Sequence, residues 1–322
     1  MIAMVTNNNQ KRTLSIVMLC AVALVWGAGF VLADSLLADG FVATPGLQNA
    51  LRFVLGAIFL VIVLWKDIKI SWKNVMYGAI GGTMLFCGFT FQLMGQTYIT
   101  PAHCGFFTAL YFVMTPFIAW IVYKKAPNLS VFVAVALAVT GFIVLNLNKM
   151  PTAEESLGIL FTVIGALMFA LQIVYGDYLL KKDKIQSNNL VVLQLVFASI
   201  LFVLYTLIFE SGKYATLSIS VGDVWWKIAI VSILGTGFAY YAQTYAQKYV
   251  KPTQTSLILT CETPIGAILS IALGIDKFSW NIIVGGLLVV GAVVLAEFAP
   301  LWVKKVKTKK QENCNSNRNN EN

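Results

Sequence analysis

The sequence predicts an all-α polytopic membrane protein, with ten transmembrane helices built as two inverted-topology repeats of five. Three observations carry that prediction. Of 322 residues, 58% are hydrophobic and only 11% charged, with a mean hydropathy of +0.78. A soluble domain carries about a quarter charged residues, so this chain cannot cover a water-facing surface, and a soluble globular enzyme is excluded. The apolar residues fall in runs of roughly 20, the length that crosses a bilayer as helix. Finally, the chain matches itself when shifted by about half its length.

The expected spans are 14–33, 45–65, 75–94, 101–123, 130–146, 157–180, 187–209, 227–245, 253–275 and 281–303. Lys11 and Arg12 precede the first run, which is longer than a signal-peptide core and has no small-residue cleavage site, so it reads as a retained helix. With a cytoplasmic N-terminus, the basic residues between spans fall on the inner side except Lys149, Lys213, Lys227 and Lys277. A miscounted helix would mix the charges downstream of the error. The separation therefore supports the count and a multi-pass plasma-membrane topology with both termini inside. The net charge of +9 then reflects orientation and lipid contact, and no nucleic-acid groove accompanies it. Cys20, Cys87, Cys104 and Cys261 fall within spans and Cys314 in the tail, a pattern of packing residues without a disulfide framework.

A shift of 151 brings Gln92, Gln96, Tyr98 and Pro101 onto Gln243, Gln247, Tyr249 and Pro252. A shift of 143 aligns Ala23, Leu24, Asp34, Leu36 and Leu37 with Ala166, Leu167, Asp177, Leu179 and Leu180, while 148 pairs Pro116 with Pro264 and 150 pairs Gly141 with Gly291. The organisation is an N-terminal segment 1–12, repeats 13–148 and 156–303, and a disordered basic tail 304–322 attracted to anionic lipid. An odd number of spans per repeat makes the second copy enter from the opposite side. Inverted halves exchange conformations around a midplane site, which points to transport.

Glu262 lies about ten residues into the ninth span, near the midplane at about 1.5 Å per residue, where it must face the bundle interior. It reads as a site for a substrate amine or a coupling proton, against a packing role through an ion pair or hydrogen bond. Pro264 is expected to free the Thr260 carbonyl beside it. Arg52, within the second span, needs a partner or a wet cavity. Asp34 is the expected partner, which makes Arg52 structural; the competing role is an anchor for a substrate carboxylate. Gln92 with Gln96, and Gln243 with Gln247, share helix faces, the first of each pair deeper, and serve equally as solute ligands or interhelical glue. Trp26, Phe86, Tyr111, Tyr175, Tyr240 and Tyr241 are candidate cavity aromatics, although such residues are more often packing. His103, the sole histidine, begins the fourth span and reads first as an interfacial residue. Nothing completes a metal site, phosphate loop or catalytic constellation, so neither enzyme activity nor a cofactor is expected. Ala23 with Gly27, Ala166 with Ala170, and Gly78 with Gly82 are placed for close helix contacts.

The chain resembles the EamA-type drug and metabolite transporters from about residue 13 to 300. The likeness rests on Trp26-Gly27, Leu51-Arg52-Phe53, Thr115-Pro116, Gly235-Thr236-Gly237 and Glu262-Thr263-Pro264 in this order and spacing. It departs where such families place Gly-Glu and then Ser or Thr: Lys124-Lys125 stands there in the first half, and Asp276 with Ser279 in the second. The resemblance implies a secondary carrier, commonly an exporter of amino acids or other small metabolites, with a cavity lined by both halves. The expected solute-binding residues are Glu262, Gln92, Gln243, Tyr111, Tyr240, Trp26 and His103, with Arg52, Asp34, Pro116 and Pro264 structural or gating. Expected partners are a small-molecule solute and membrane lipids, with proton coupling and a homodimer left open. The alternatives are a nucleotide-sugar or phosphorylated-metabolite exchanger and a non-transporting scaffold; the first wants several buried cations, and Arg52 stands alone within the spans.

Overall fold

Apolar side chains run around most faces of most helices, as expected of segments that meet lipid on one side and each other on the other. The computed structural model describes residues 2–38, 44–99, 101–146, 152–211, 225–274, 280–281, 283–292 and 294–295. Among these there is no strand. The helices are α1 (Ile2–Ala38), α2 (Pro45–Leu64), α3 (Trp72–Gln96), α4 (Pro101–Ala109), α5 (Tyr111–Tyr123), α6 (Leu129–Asn146), α7 (Ala153–Lys181) and α8 (Ser187–Phe209). They continue with α9 (Trp225–Ala229), a π-helix (Ile230–Phe238), α10 (Ala239–Ala246), α11 (Pro252–Leu259) and α12 (Glu262–Ala272).

Local chemistry sets several boundaries. Thr44 caps α2 by accepting the Leu47 N–H at 3.3 Å, with Pro45 preset for the first turn. Ser71 caps α3 through the Asn74 N–H at 3.2 Å. Thr152 and Glu155 form a reciprocal capping box at the start of α7.

Among the described residues six stretches are long and apolar enough to cross a membrane: Asn9–Gly29, Gly46–Asp67, Trp72–Gln96, Cys104–Tyr123, Ala153–Lys181 and Ser187–Phe209. They correspond to expected spans one to four, six and seven. Spans five and ten are represented by the shorter apolar helices Leu129–Gly141 and Ile283–Ala292. The remaining two are not single α-helices. Span eight runs through the π-helix, and span nine breaks at Thr260 and Cys261. Span four also breaks, at Leu110. The span-nine break has a physical cause, because Pro264 offers no N–H to the carbonyl four residues earlier. That Thr260 carbonyl is not free, however: the chain tightens and the Thr263 N–H donates to it at 3.1 Å.

The helices pack with a two-fold pattern. Helix α1 packs on α12 and α11 as α7 packs on α5 and α4. Helix α3 lies against α7 and α8, as the π-helix and α10 lie against α1, and the π-helix against α2. Helices α2 and α8 pack on each other. The expected small residues sit in these seams: Gly27 faces Ile265 of α12, Gly78 and Gly82 face Leu193, Gln194 and Phe197 of α8, and Ala166 and Ala170 are fully buried. The α2–α8 pair is tied at both ends. Thr44 Oγ1 donates to buried Glu210 at one, and at the other Asn188 Nδ2 donates to Asp67 at 2.8 Å.

Candidate central cavity

Between these helices lies a cavity of about 970 Å³, counting space continuous with solvent. Its aromatic wall forms because Phe53, fully buried on α2, draws neighbouring rings together: Phe89 at 5.1 Å, Phe202 at 4.9 Å and Tyr240 at 6.2 Å between centroids. Phe169 adds an edge contact to Phe89 at 5.0 Å, and Trp26 tilts against Tyr240 at 5.5 Å.

The polar wall is built from amides and two charges. Gln243 Nε2 donates to Gln172 Oε1 at 3.1 Å, Gln172 Nε2 to Gln194 Oε1 at 3.3 Å, and Gln194 Nε2 to Thr244 Oγ1 at 3.5 Å. On the opposite repeat, Gln92 Nε2 donates to Thr108 Oγ1 at 2.9 Å. Glu262 begins α12 with 4% of its surface exposed, and Tyr111 begins α5 beside it. The Tyr111 hydroxyl lies near Glu262 and Thr260 but makes no hydrogen bond of standard geometry, leaving a buried polar atom unpartnered. Arg52 Nε donates to Thr236 Oγ1 at 2.9 Å, and its Nη2 approaches the Gly235 carbonyl at 3.5 Å. That same carbonyl accepts the Trp26 indole N–H at 2.7 Å. The π-helix thus presents a peptide oxygen and a hydroxyl to donors from α1 and α2, as such helices often do at functional sites.

Of the expected solute-binding residues, Trp26, Gln92, Tyr111, Tyr240, Gln243 and Glu262 are brought together in this lining. Arg52 joins them in the lining, and its hydrogen-bond partners among the described residues are neutral groups. The side chains of His103 and Asp34 lie outside the described residues, as do Asp276 and Ser279. Pro116, in the second turn of α5, and Pro264, in the first turn of α12, are buried and do not line the cavity. Three aromatic candidates are elsewhere: Phe86 packs on Phe202 at 5.0 Å, Tyr175 donates to the Tyr77 carbonyl at 3.3 Å, and Tyr241 stacks on Tyr245 at 6.3 Å. Gln96 reaches the lining, whereas its repeat partner Gln247 is fully buried and donates to the Ile173 carbonyl at 3.2 Å.

Sequence reasoning missed Gln48, Asn49, Phe89, Thr108, Phe169 and Gln172. Two of these, Phe89 and Phe169, were within reach of the internal repeat, because their partners Tyr240 and Trp26 were already candidates. The shift of 143 maps Trp26 onto Phe169 and Gly29 onto Gln172; the shift of 151 maps Phe89 onto Tyr240, Gln92 onto Gln243, Thr108 onto Leu259 and Tyr111 onto Glu262. Twelve of the twenty lining residues are therefore repeat-equivalent pairs. Most of the rest, including Gln48, Asn49, Gln96 and Val231, lie toward the helix ends where α2 begins and α3 stops, so the cavity extends to that face. Toward the opposite face, Tyr123 donates to fully buried Asp177, which also pairs with Lys181 at 2.7 Å, and this joins α5 to α7.

The EamA-like transporter family model matches this chain twice, over residues 13–147 and 156–298. The chain belongs to the EamA-like transporter family. It is a multi-pass membrane protein by that membership and by its apolar helices. An uncharacterized transporter of Archaeoglobus fulgidus is 25% identical over 287 residues, covering 88% of this chain and 86% of that protein. A solved crystal structure with 18% identity superposes with a TM-score of 0.73 over 91% of this chain and 98% of its own, a likeness of fold alone.

Proposed function

We propose that this EamA-family chain is a secondary transporter. It exports a small organic metabolite, an amino acid or similarly amphipathic solute, by alternating access through the central cavity. The observation that carries the reading is the lining itself, in which equivalent positions of the two repeats face one another around one space. Ten helices in two inverted halves interchange the roles of the two faces, so one state of each half becomes the other half's state. The uneven cavity fits one such state: it reaches the face where α2 begins, while Tyr123, Asp177, Gln247 and Ile173 close the lysine-rich face. With both termini cytoplasmic in the plasma membrane, that state is outward-facing.

The discontinuous segments supply the chemistry. Tyr111 and Glu262, at the starts of α5 and α12, face each other without an ion pair or a standard hydrogen bond, so Glu262 is available to a solute amine or a coupling proton. Amides satisfy solute polarity without adding charge, and the rings accept an apolar portion. A dianionic phosphate ester is disfavoured, because Arg52 is the only cationic side chain among the described lining residues and Glu262 shares the space.

The test is untargeted metabolite profiling of medium and cytosol from cells expressing the intact protein, an equally abundant Glu262→Gln variant, or neither. The expected result is one solute, or a small related set, enriched in the medium only with the intact protein. Three identical profiles would overturn the export reading.

A further inference from the structure

Arg52 and Glu262 are opposite charges in one cavity, and they do not pair. They interact electrostatically, yet no ion pair within 4.0 Å joins Arg52 to any carboxylate among the described residues. Among the described residues the guanidinium meets neutral groups: Thr236 Oγ1, the Gly235 carbonyl, the ring of Phe89 at 4.9 Å and that of Phe53 at 5.8 Å. A guanidinium carries five N–H groups in a rigid fork, and Nη1 meets no acceptor among the described residues. A cation retained only for packing would gain most by closing on the nearby carboxylate, because an unpaired charge in a membrane interior is costly. Here the π-helix holds it back on one side, and Glu262 is fixed at the start of α12 on the other. The separation is built in.

We propose that Arg52 is a specificity-determining residue of the cavity, the seat for the carboxylate of the transported solute, with Glu262 and the unpartnered Tyr111 hydroxyl receiving its ammonium end. This rests on the transport reading above. The free edge of the fork suits a planar carboxylate. The neutral tethers position that edge without neutralising it, and the Phe89 ring lies 4.9 Å from the guanidinium carbon. The repeat partner of Arg52 under a shift of 142 is Gln194, which is consumed in the amide chain, so the anion seat belongs to the first repeat alone. The solute is then oriented, its carboxylate toward α2 and its amine toward α12.

The test uses the purified full-length protein in detergent and measures thermal stabilisation by each standard amino acid and by its carboxamide, which keeps the amine and side chain but lacks the carboxylate. At least one amino acid should bind about tenfold or more tightly than its amide, the margin expected of a charge-assisted bidentate contact. Arg52→Gln should weaken the acid to the level of the amide while leaving the amide itself unchanged, and Arg52→Lys should restore part of the preference. Equal binding of acid and amide, equal weakening of both by Arg52→Gln, or no binding by any amino acid would each overturn the proposal. Should Arg52→Gln fail to fold, the acid–amide ratio of the intact protein and of Arg52→Lys decides. Solute export in the profiling experiment without Arg52-dependent discrimination sinks this inference alone, whereas absence of any exported solute sinks the transport reading.

Discussion

Gly27 and Gly29 lie two residues apart on α1 and should respond to the same substitution with opposite signs. A Cβ at Gly27 would stand 2.7 Å from Ile265 Cγ2 and 2.8 Å from the Glu262 carbonyl oxygen, whereas nothing lies within 4 Å of a Cβ at Gly29, which opens onto the cavity. Both alanine variants gain about 0.5 to 1 kcal/mol from replacing a helical glycine. Ordinary carbon contacts are about 3.5 to 4.0 Å, so Gly27→Ala forces α1 and α12 apart by about 1 Å. Overpacking of that kind costs about 1 to 3 kcal/mol. The helix gain is common to both variants and cancels, so Gly29→Ala should be the more stable by about 1 to 3 kcal/mol. Gly29→Phe extends the contrast by placing a ring in the cavity that Gly29 lines. It should fold as well as the parent and transport poorly. Melting in detergent, together with solute flux in proteoliposomes, reads both quantities. Equal melting of the two alanine variants would refute the packing argument, and full flux through Gly29→Phe would remove the cavity from the transport path.

Glu262→Gln removes no ion pair, so its stability should stay within about 1 kcal/mol of the parent. Transport driven by a pH gradient should nevertheless fall to background, and unchanged gradient-driven flux would argue against a solute or proton role for this carboxyl. Tyr123→Phe deletes the tie between α5 and α7 and leaves a buried carboxylate with Lys181 alone. It should cost about 1 to 3 kcal/mol and raise thiol-reagent access from the lysine-rich face, and a variant with unaltered melting and access would show that this tie does not close that face.

The helices and the repeat were legible because each rests on a strong signal: long apolar runs, charges sorted between them, and identities at constant shift. Glu262 and the glutamines stood out because a polar group in a membrane helix needs somewhere to go: Glu262, Gln92, Gln96 and Gln243 went to the cavity, and Gln247 to a backbone carbonyl of α7. The interruptions were harder. Pro264 announced a disturbance at Thr260, but whether a helix loses one bond or breaks depends on whether the freed carbonyl finds another donor, and Thr263 supplied it. At Leu110 there is neither proline nor glycine, so no local signal marks the break. The π-helix receives donors from two other helices, Trp26 and Arg52, contacts that the Gly235-Thr236-Gly237 motif alone does not specify. Arg52 leaned toward a structural role because its repeat partner is neutral. In the structure Arg52 reaches the cavity lining, whereas Gln194 is spent in the amide chain beside it.

The central claim is that one midplane cavity opens in turn to each face of the membrane. Phe169 lines it midway along α7, so a lone cysteine there, in a chain with its native cysteines replaced, samples the space both repeats enclose. The measurement is its reaction with a membrane-impermeant thiol reagent in right-side-out and in everted vesicles, with ion leak recorded in parallel. Alternating access predicts labelling from both sides without leak. Labelling from one face only, or from both with a continuous leak, would contradict it.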